Sequence, residues 1–294
     1  MKLKHWAVFI LLGTIWSSSF LWIKIAVQEI GPMSLVAFRM LFGMLAAVLI
    51  ATYRKVSWPR DWKTWRIFAI LGPTSLAIPI FLISWGEQSI DSAVASILNA
   101  TVPLFTIVIA HYWLHDDKIT LPKAAGLLVG FAGVVVLLSE DIGANAHSSV
   151  LGQAAVILAA AFYAGSAVYA RKATQNVDTL VRGASPVIVA AFFMWILGPL
   201  LEHPFKIPSL PLTWVATIWL GVLGTGLAFI MFYYLLHEIG PTRTSLVTYL
   251  FPLGGVILGV LLLGEHLSWQ LIVGSLLIIG SLAVVNSKPR RKPT

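Results

Sequence analysis

Apolar residues fill this chain in long stretches separated by short polar connections. A helix needs roughly 20 such residues to cross the hydrocarbon core of a bilayer. Ten stretches are long enough: 5–27, 33–53, 65–86, 92–114, 121–139, 149–170, 180–201, 212–236, 243–264 and 267–286. The sizeable polar pieces are 54–64, 140–148, 171–179 and the tail 287–294, which leaves no room for a soluble domain. The pattern predicts an all-α integral membrane protein of ten transmembrane helices. The opening Lys2-Leu3-Lys4 before an apolar run has the form of a signal peptide. The run continues past Ile15 to Val27 with no small-x-small cleavage site, so it is read as a retained first helix.

The apolar pattern repeats. Ser96-x-x-Asn99-x-x-x-Pro103-Leu104 returns 149 residues later as Ser245-x-x-Thr248-x-x-x-Pro252-Leu253. A charged turn follows each copy, Leu114-His115-Asp116 in the first and Leu263-Gly264-Glu265 in the second. At the same offset Trp65 matches Trp214 and Gly72 matches Gly221, and after a one-residue slip Gly126 matches Gly274. At an offset of 147, Trp16 matches Tyr163, Ser19 matches Ser166 and Lys24 matches Arg171. The expected organisation is a five-helix repeat over 1–140, a second over 149–286 and a basic tail at 287–294. Five is odd, so the second repeat enters the membrane from the opposite side. Inverted repeats of this kind are common in secondary transporters, whose substrate sites lie between the halves near the midplane.

Charge fixes the expected orientation. With the N-terminus in the cytoplasm, 17 of the 20 Lys and Arg residues fall on the cytoplasmic side, and only Lys24, Arg39 and Lys206 do not. That asymmetry is the positive-inside signature. It also accounts for the formal charge of +8 without nucleic acid. Composition agrees with a membrane location. The chain is 58% hydrophobic and 11% charged, against about 25% charged in soluble domains. Its 12 Trp and 15 Phe suit a protein with two interfaces to anchor in. With no cysteine there is no disulfide, thiolate metal site or thiol nucleophile. No cofactor or metal is called for.

The run Trp16-Ser17-Ser18-Ser19-Phe20…Lys24, then Phe38-Arg39, then Ala93-Val94-Ala95-Ser96…Pro103-Leu104 resembles the EamA family of the drug/metabolite transporter superfamily. So does the closing Gly264-Glu265-His266-Leu267-Ser268…Gly274. The resemblance covers nearly the whole chain, most strongly in spans 1, 4, 5, 9 and 10. It implies a ten-helix 5+5 fold, both termini cytoplasmic, and export of small metabolites across a bacterial inner membrane. Members of the family include amino-acid exporters. The motifs specify fold better than substrate.

Candidate chemistry concentrates at mid-depth. Ser92, Ser96, Asn99 and Thr106 share one face of span 4, and Pro103 lies on that face. Proline has no N–H, so it deprives the Asn99 carbonyl of its helical partner. In span 9, Pro252 does the same to Thr248, beside Ser245 and Tyr249. Such free acceptors are tolerated at depth only under protein or water. Substrate binding and close helix packing both explain the stripe. Trp16 and its repeat mate Tyr163 sit mid-span, away from the interfaces where Trp and Tyr gather. Their N–H and O–H groups need partners, and a wet cavity bordered by Ser17 and Ser166 would supply them. Lys24 and Arg39 lie toward the outer ends of spans 1 and 2. They either reach out to the interface or meet a substrate carboxylate.

All 12 acidic residues fall in loops or at helix ends. A carrier of net cations, or a carboxylate-based proton antiporter, would be expected to hold one mid-span. The sequence therefore leads us to expect no obligatory proton exchange through Asp or Glu, with His111 as the rival relay. Gly126-x-x-x-Gly130 and Gly255-x-x-x-Gly259 fit close helix contact. Pro73 and Pro79 in span 3, and Gly221, Gly224 and Gly226 in span 8, are candidate bending points.

An aromatic, neutral-polar cavity lined by spans 1, 3, 4, 6, 8 and 9 suits zwitterionic amino acids, aromatic ones included. Stacking on Trp16 and Tyr163 would hold a ring. Spans 5 and 10 would brace it. The candidate substrate-binding residues are Trp16, Ser17, Asn99, Tyr163, Ser166, Thr248, Tyr249, Lys24 and Arg39. The expected partners are a small-molecule substrate and the bilayer. The sequence sets no oligomeric state, and a monomer is compatible with it. Efflux of drugs or other neutral metabolites is the alternative. An intramembrane enzyme using Ser185, and a channel, are remote ones. There is no His-Glu-x-x-His, and no phosphate-cradling Gly-Lys-Ser/Thr loop that would let the chain use ATP by itself.

Overall fold

The computed structural model describes residues 3–113, 119–139, 146–175, 177–239, 244 and 246–285. Among these the chain is helical and holds no strand. The helices are α1 (Leu3–Ala26), α2 (Pro32–Tyr53), α3 (Trp62–Gly86), α4 (Ser92–Trp113), α5 (Leu121–Leu138), α6 (Ala146–Ala173) and α7 (Thr179–Leu201). Next comes α8, built from Pro211–Ile218, Trp219–Leu227 and Ala228–Ile239. A short 3-10 turn, Leu246–Tyr249, leads into α9 (Leu250–Leu263), and α10 (Trp269–Val285) follows. Eight of these, α1 to α8, are long and apolar enough to cross a membrane, while α9 and α10 are shorter apolar helices. The Leu114-His115-Asp116 turn, Ser245 and the tail lie outside the described residues.

Local chemistry explains where these helices start and change pitch. Asp61 caps α3 by accepting the Thr64 amide at 2.7 Å, and Asp178 caps α7 by accepting the Leu180 amide at 2.8 Å. Pro73–Ala77 in α3 and Trp219–Leu227 in α8 are π-helical. The Ile78 amide bonds to the Pro73 carbonyl and the Ala228 amide to the Leu223 carbonyl, each five residues back. The expected bending points Pro73, Gly221, Gly224 and Gly226 thus lie in π-helical segments, a feature often found at functional sites, while Pro79 lies in the α-helical part of α3. The two π segments are repeat mates, since 73–77 shifted by 149 falls inside 219–227.

Packing follows the same symmetry. α2 packs on α7, α4 on α9 and α5 on α10. α1 packs on α8 and α9, as α6 does on α3 and α4. α2 meets the π segment of α8, as α7 meets that of α3. Exchanging each helix with the one five along reproduces this set of contacts. Glycines enforce it. A Cβ on Gly221 would sit 2.8 Å from the Arg39 carbonyl and overlap Phe42, and one on Gly72 would sit 2.9 Å from the Pro186 carbonyl and 2.8 Å from Val189. Gly72 and Gly221 are repeat mates, and the offset of 147 relates Arg39 to Pro186 and Phe42 to Val189. α5 and α10 lie at the side of the bundle, where a Cβ on Gly274 would reach within 3.1 Å of the Gly133 carbonyl.

The two ends of the bundle differ in charge. At one end Arg54, Lys63, Arg66, Arg171, Lys172 and Arg182 surround a small apolar cluster of Phe68, Leu71, Ala170 and Val181. The opposite end holds Glu29, Glu87, Asp91, Glu202 and Glu265.

Candidate functional site

The stripe on α4 ends at a break. Helical structure stops at Asn99 and resumes at Val102, with Ala100 and Thr101 in a turn. The Ala100 amide shares the Ser96 and Ile97 carbonyls, and the Thr101 hydroxyl donates to the Leu98 carbonyl at 2.6 Å. Pro103 lacks the N–H that would continue the ladder across this point. Asn99 is buried, and its Oδ1 accepts no hydrogen bond among the described residues. The second copy is interrupted at the corresponding place. Leu246–Tyr249 forms the 3-10 turn before Pro252, so α9 starts later than the apolar run suggested. Thr248 is buried there, and the side chain of Tyr249 lies outside the described residues.

The two broken helices touch through the paired glycines. A Cβ on Gly255 would overlap Ser96 Oγ, and one on Gly259 would come within 3.0 Å of Ser92 Oγ. Ser92 and Ser96 therefore mark the α4–α9 contact rather than an open face. A Cβ on Gly254 would overlap Ser17 Oγ, which places Ser17 against α9 as well.

Trp16 stands among aromatic rings. Phe229, Phe232 and Phe251 lie 5.9, 5.6 and 6.0 Å from it between centroids. Its indole N–H donates to the Gly224 carbonyl in the π segment of α8 at 3.1 Å. A backbone carbonyl thus supplies the partner that the sequence led us to expect from a wet cavity. Ser17, Ser18 and Ser19 donate back to the Thr14 and Ile15 carbonyls of their own helix, and Ser18 also accepts the Trp219 indole N–H at 3.1 Å.

Arg39 is buried and does not reach the interface. Its Nε donates to Thr225 Oγ1 at 3.0 Å, and its Nη2 lies 3.5 Å from the Gly224 carbonyl that Trp16 also approaches. Tyr163 and Glu87 lie within electrostatic reach of its guanidinium. Trp16, Arg39 and Thr225 thus join α1 and α2 at the π segment. Tyr163 is half-buried on α6 and packs against both main apolar clusters of the bundle. Ser166, one turn along, is buried with an Oγ that makes no hydrogen bond among the described residues. Lys24 is held elsewhere, because its Nζ donates to the Glu87 and Ile90 carbonyls at 2.9 and 2.6 Å.

At the acidic end the fold forms a set of carboxylate latches that no residue pattern announces. Glu202 accepts the Met33 and Ser34 amides at 2.9 and 3.0 Å, with the Ser34 hydroxyl beside it. Glu265 accepts the Ser92 and Ala93 amides at 2.7 and 3.0 Å. Each caps the positive end of a helix from a distant part of the chain. Glu29 accepts the Ser209 and Leu210 amides at the start of α8. Hydrogen bonds, first from the Ser209 hydroxyl and then from Thr213, hold its carboxyl down at about 2. A carboxylate in a loop carries no mark of the amide it will meet, so only the folded contact identifies it.

Other candidates fall away from the center. His111, at the end of α4, accepts the Ile119 amide on Nδ1 at 3.2 Å. Ser185 is fully buried inside α7 rather than on a loop. Among the described residues no three His, Cys, Asp or Glu side chains gather to hold a metal. An apolar cavity of about 330 Å³ opens at the basic end between Val8, Arg54, Leu180, Met231 and Tyr234.

Known proteins share this architecture. A crystal structure 21% identical in sequence superposes with a TM-score of 0.71, covering 97% of this chain and 98% of that one, which shows the fold. An uncharacterized transporter of Archaeoglobus fulgidus is 27% identical over 97% of this chain and 100% of its own. A probable terminal-alkyne amino-acid exporter of Streptantibioticus cattleyicolor is 26% identical over 98% of this chain and 95% of its own. The uncharacterized inner membrane transporter YedA of Escherichia coli is 27% identical over 86% of this chain and 81% of its own. Residues 4–139 and 150–287 each match the EamA-like transporter family, and with both matches covering the apolar bundle described above, the chain belongs to that family.

Proposed function

We propose that this protein exports small amphipathic metabolites of no net charge, amino acids and aromatic ones among them, from a bacterial cytoplasm by alternating access. The observation that carries the reading is Asn99, a buried amide oxygen at the break of α4 with no partner among the described residues. A buried polar group of this kind is costly unless something completes it, and a substrate ammonium or hydroxyl would do so. Ser166 adds a second open hydroxyl. Trp16, Tyr163, Ser17, Thr248 and Tyr249 would form the remaining wall. Arg39, beside Tyr163, is the cation placed to face a substrate carboxylate, with Lys24 nearer the acidic end. The relative from Streptantibioticus cattleyicolor named a probable terminal-alkyne amino-acid exporter supports this substrate class.

In this reading all ten helices cross the inner membrane, as inverted repeats over 1–140 and 149–286. The basic end, the tail at 287–294 and both termini face the cytoplasm. The exchange symmetry of the contacts and the paired π segments support two repeats, and the charge difference between the ends supports the orientation. The π segments of α3 and α8 and the broken α4 and α9 would be the elements that shift between states. The three rings around Trp16 favour a second reading, efflux of larger neutral aromatic compounds.

The test is transport in proteoliposomes loaded with labelled amino acids, neutral aromatic compounds and cationic drugs. Export or counterflow of amino acids, stronger for aromatic ones, is the expected result. Transport of cationic drugs alone would reject the amino-acid reading.

A further inference from the structure

Glu87 follows the last residue of α3 and is the most completely enclosed acid of the described chain, with no exposed surface. Neither carboxyl oxygen makes a hydrogen bond among the described residues. The neighbouring cation favours the carboxylate only from a distance, because Lys24 Nζ donates to the backbone carbonyls of Glu87 and Ile90 rather than to the carboxyl. Glu265 lies within reach from the segment after α9, as do Lys24 from α1 and Arg39 from α2, the last with Tyr163 of α6 beside it. The Glu265 carboxylate is committed to the Ser92 and Ala93 amides. A carboxylate withdrawn from water and given no donor is strongly disfavoured, and the group takes up a proton instead.

A polar cavity of about 140 Å³ adjoins this cluster, with Asp91, Gln153 and His266 in its wall. Ile90 and Ala93 also line it, and these are the residues whose backbone groups are bound by Lys24 and Glu265. The cavity therefore borders the latches, and Glu87 is not part of its wall. If those latches part, the carboxyl becomes hydrated and Lys24 is freed to pair with it.

We propose that Glu87 is a proton-binding site that couples the acidic end of the bundle to pH: closing this end places one proton on the Glu87 carboxyl, and opening it releases that proton. The proton passes between hydronium in the adjoining water and a carboxylate oxygen, and no electrons or other groups move. The sign follows from linkage. The closed state binds the proton more tightly, so it is favoured at low pH and lost as pH rises through the closed-state value. In the orientation proposed above, this end faces outward. The inference rests on the alternating-access reading and replaces the expectation that no carboxylate takes part in proton exchange. Distance along a span says nothing about whether the folded chain covers a side chain at its end.

The test uses the cysteine-free full chain in detergent or nanodiscs, so it needs no substrate. Val94→Cys places a reporter in the wall of the polar cavity, and His203→Cys places an exposed reference at the same end. Labelling by a charged maleimide at Val94→Cys, divided by that at His203→Cys, should rise severalfold with pH through a one-proton midpoint. Glu87→Gln should hold the ratio at its low-pH level throughout. Lys24→Met, which removes a cation that favours the carboxylate, should move the midpoint upward. A ratio independent of pH in the parent, or a dependence that persists in Glu87→Gln, overturns the proposal and in the second case points to Asp91, Glu265 or His266. Infrared spectroscopy of the unmodified chain provides a check that needs no variant. A protonated-carboxyl band resistant to deuterium exchange should be present at neutral pH, and its absence overturns the proposal. A protein that passes the labelling and infrared tests while moving no solute would reject the transport reading alone.

Discussion

The carboxylate of Glu265 accepts the backbone amide of Ser92 at 2.7 Å, across 173 residues of chain. With the Ala93 amide at 3.0 Å it supplies the side-chain cap of α4 from the loop that joins α9 to α10. Gly259 permits the approach, since a Cβ there would overlap Glu265 Oε2. Hydrogen bonds to charged groups contribute roughly 1.5–3 kcal/mol. Glu265→Ala should therefore lower stability by about that amount, read as an earlier thermal unfolding midpoint in detergent. An unchanged midpoint would mean that the latch contributes nothing in solution.

Arg39 and Thr225 should behave as a coupled pair. Their hydrogen bond ties α2 to the π segment of α8 at 3.0 Å. In a double-mutant cycle with Arg39→Met and Thr225→Val, residues sharing one network show interaction energies of roughly 0.5–3 kcal/mol. Additive effects on unfolding would show that the bond is not a tie between the helices.

At the proposed substrate site, Asn99→Ala removes a midplane amide. A lost hydrogen bond is worth roughly 0.5–1.5 kcal/mol, so transport should fall several-fold while insertion and yield are kept. Trp16→Ala should do more, because it opens the aromatic wall and leaves the Gly224 carbonyl without its indole donor. Parent-level transport by both variants would move the site elsewhere.

Gly255→Leu should separate the two broken helices. A Cβ at this position already overlaps Ser96 Oγ, and overpacking costs roughly 1–3 kcal/mol. Ser96→Ala should relieve part of the loss, measured by thermal unfolding of the double variant. The absence of any relief would mean that the clash lies elsewhere.

Acid should loosen the Glu29 latch. Its folded value is held at about 2 by hydrogen bonds, below the ordinary 4.5. A depressed acid stabilises the fold above its unfolded value, and that contribution is lost as pH falls through the folded value. The stability difference between the parent and Glu29→Gln should therefore be constant above about pH 5 and shrink between about pH 4.5 and 2. A difference that grows on acidification would contradict the latch.

Access from the two faces tests the orientation. In inverted or intact vesicles a membrane-impermeant maleimide should reach His203→Cys from the periplasmic side and Lys63→Cys only from the cytoplasmic side. Both positions are exposed, and the parent has no cysteine. Labelling of Lys63→Cys from outside would invert the topology.

The sequence by itself determined the class of the molecule, because burial in lipid demands long apolar helices and these are visible as composition. It determined the duplication too. Gly72 with Gly221, and Trp16 with Tyr163, pair at fixed offsets before any coordinate is known. It also located the weak points of α3, α4, α8 and α9, since a missing proline N–H or a missing Cβ acts locally. Tertiary structure alone decided which polar groups are satisfied. Trp16 and Arg39 both turn to the Gly224 carbonyl on a helix about 200 residues away, while Asn99 Oδ1 has no partner among the described residues. It also decided which carboxylates matter. Glu87 and Glu265 read alike as residues at helix ends, yet Glu265 is spent on two amides and Glu87 is enclosed with no donor among the described residues. Hydrogen bonding and desolvation depend on what other segments bring within 3 Å, and no local pattern of residues records that distance.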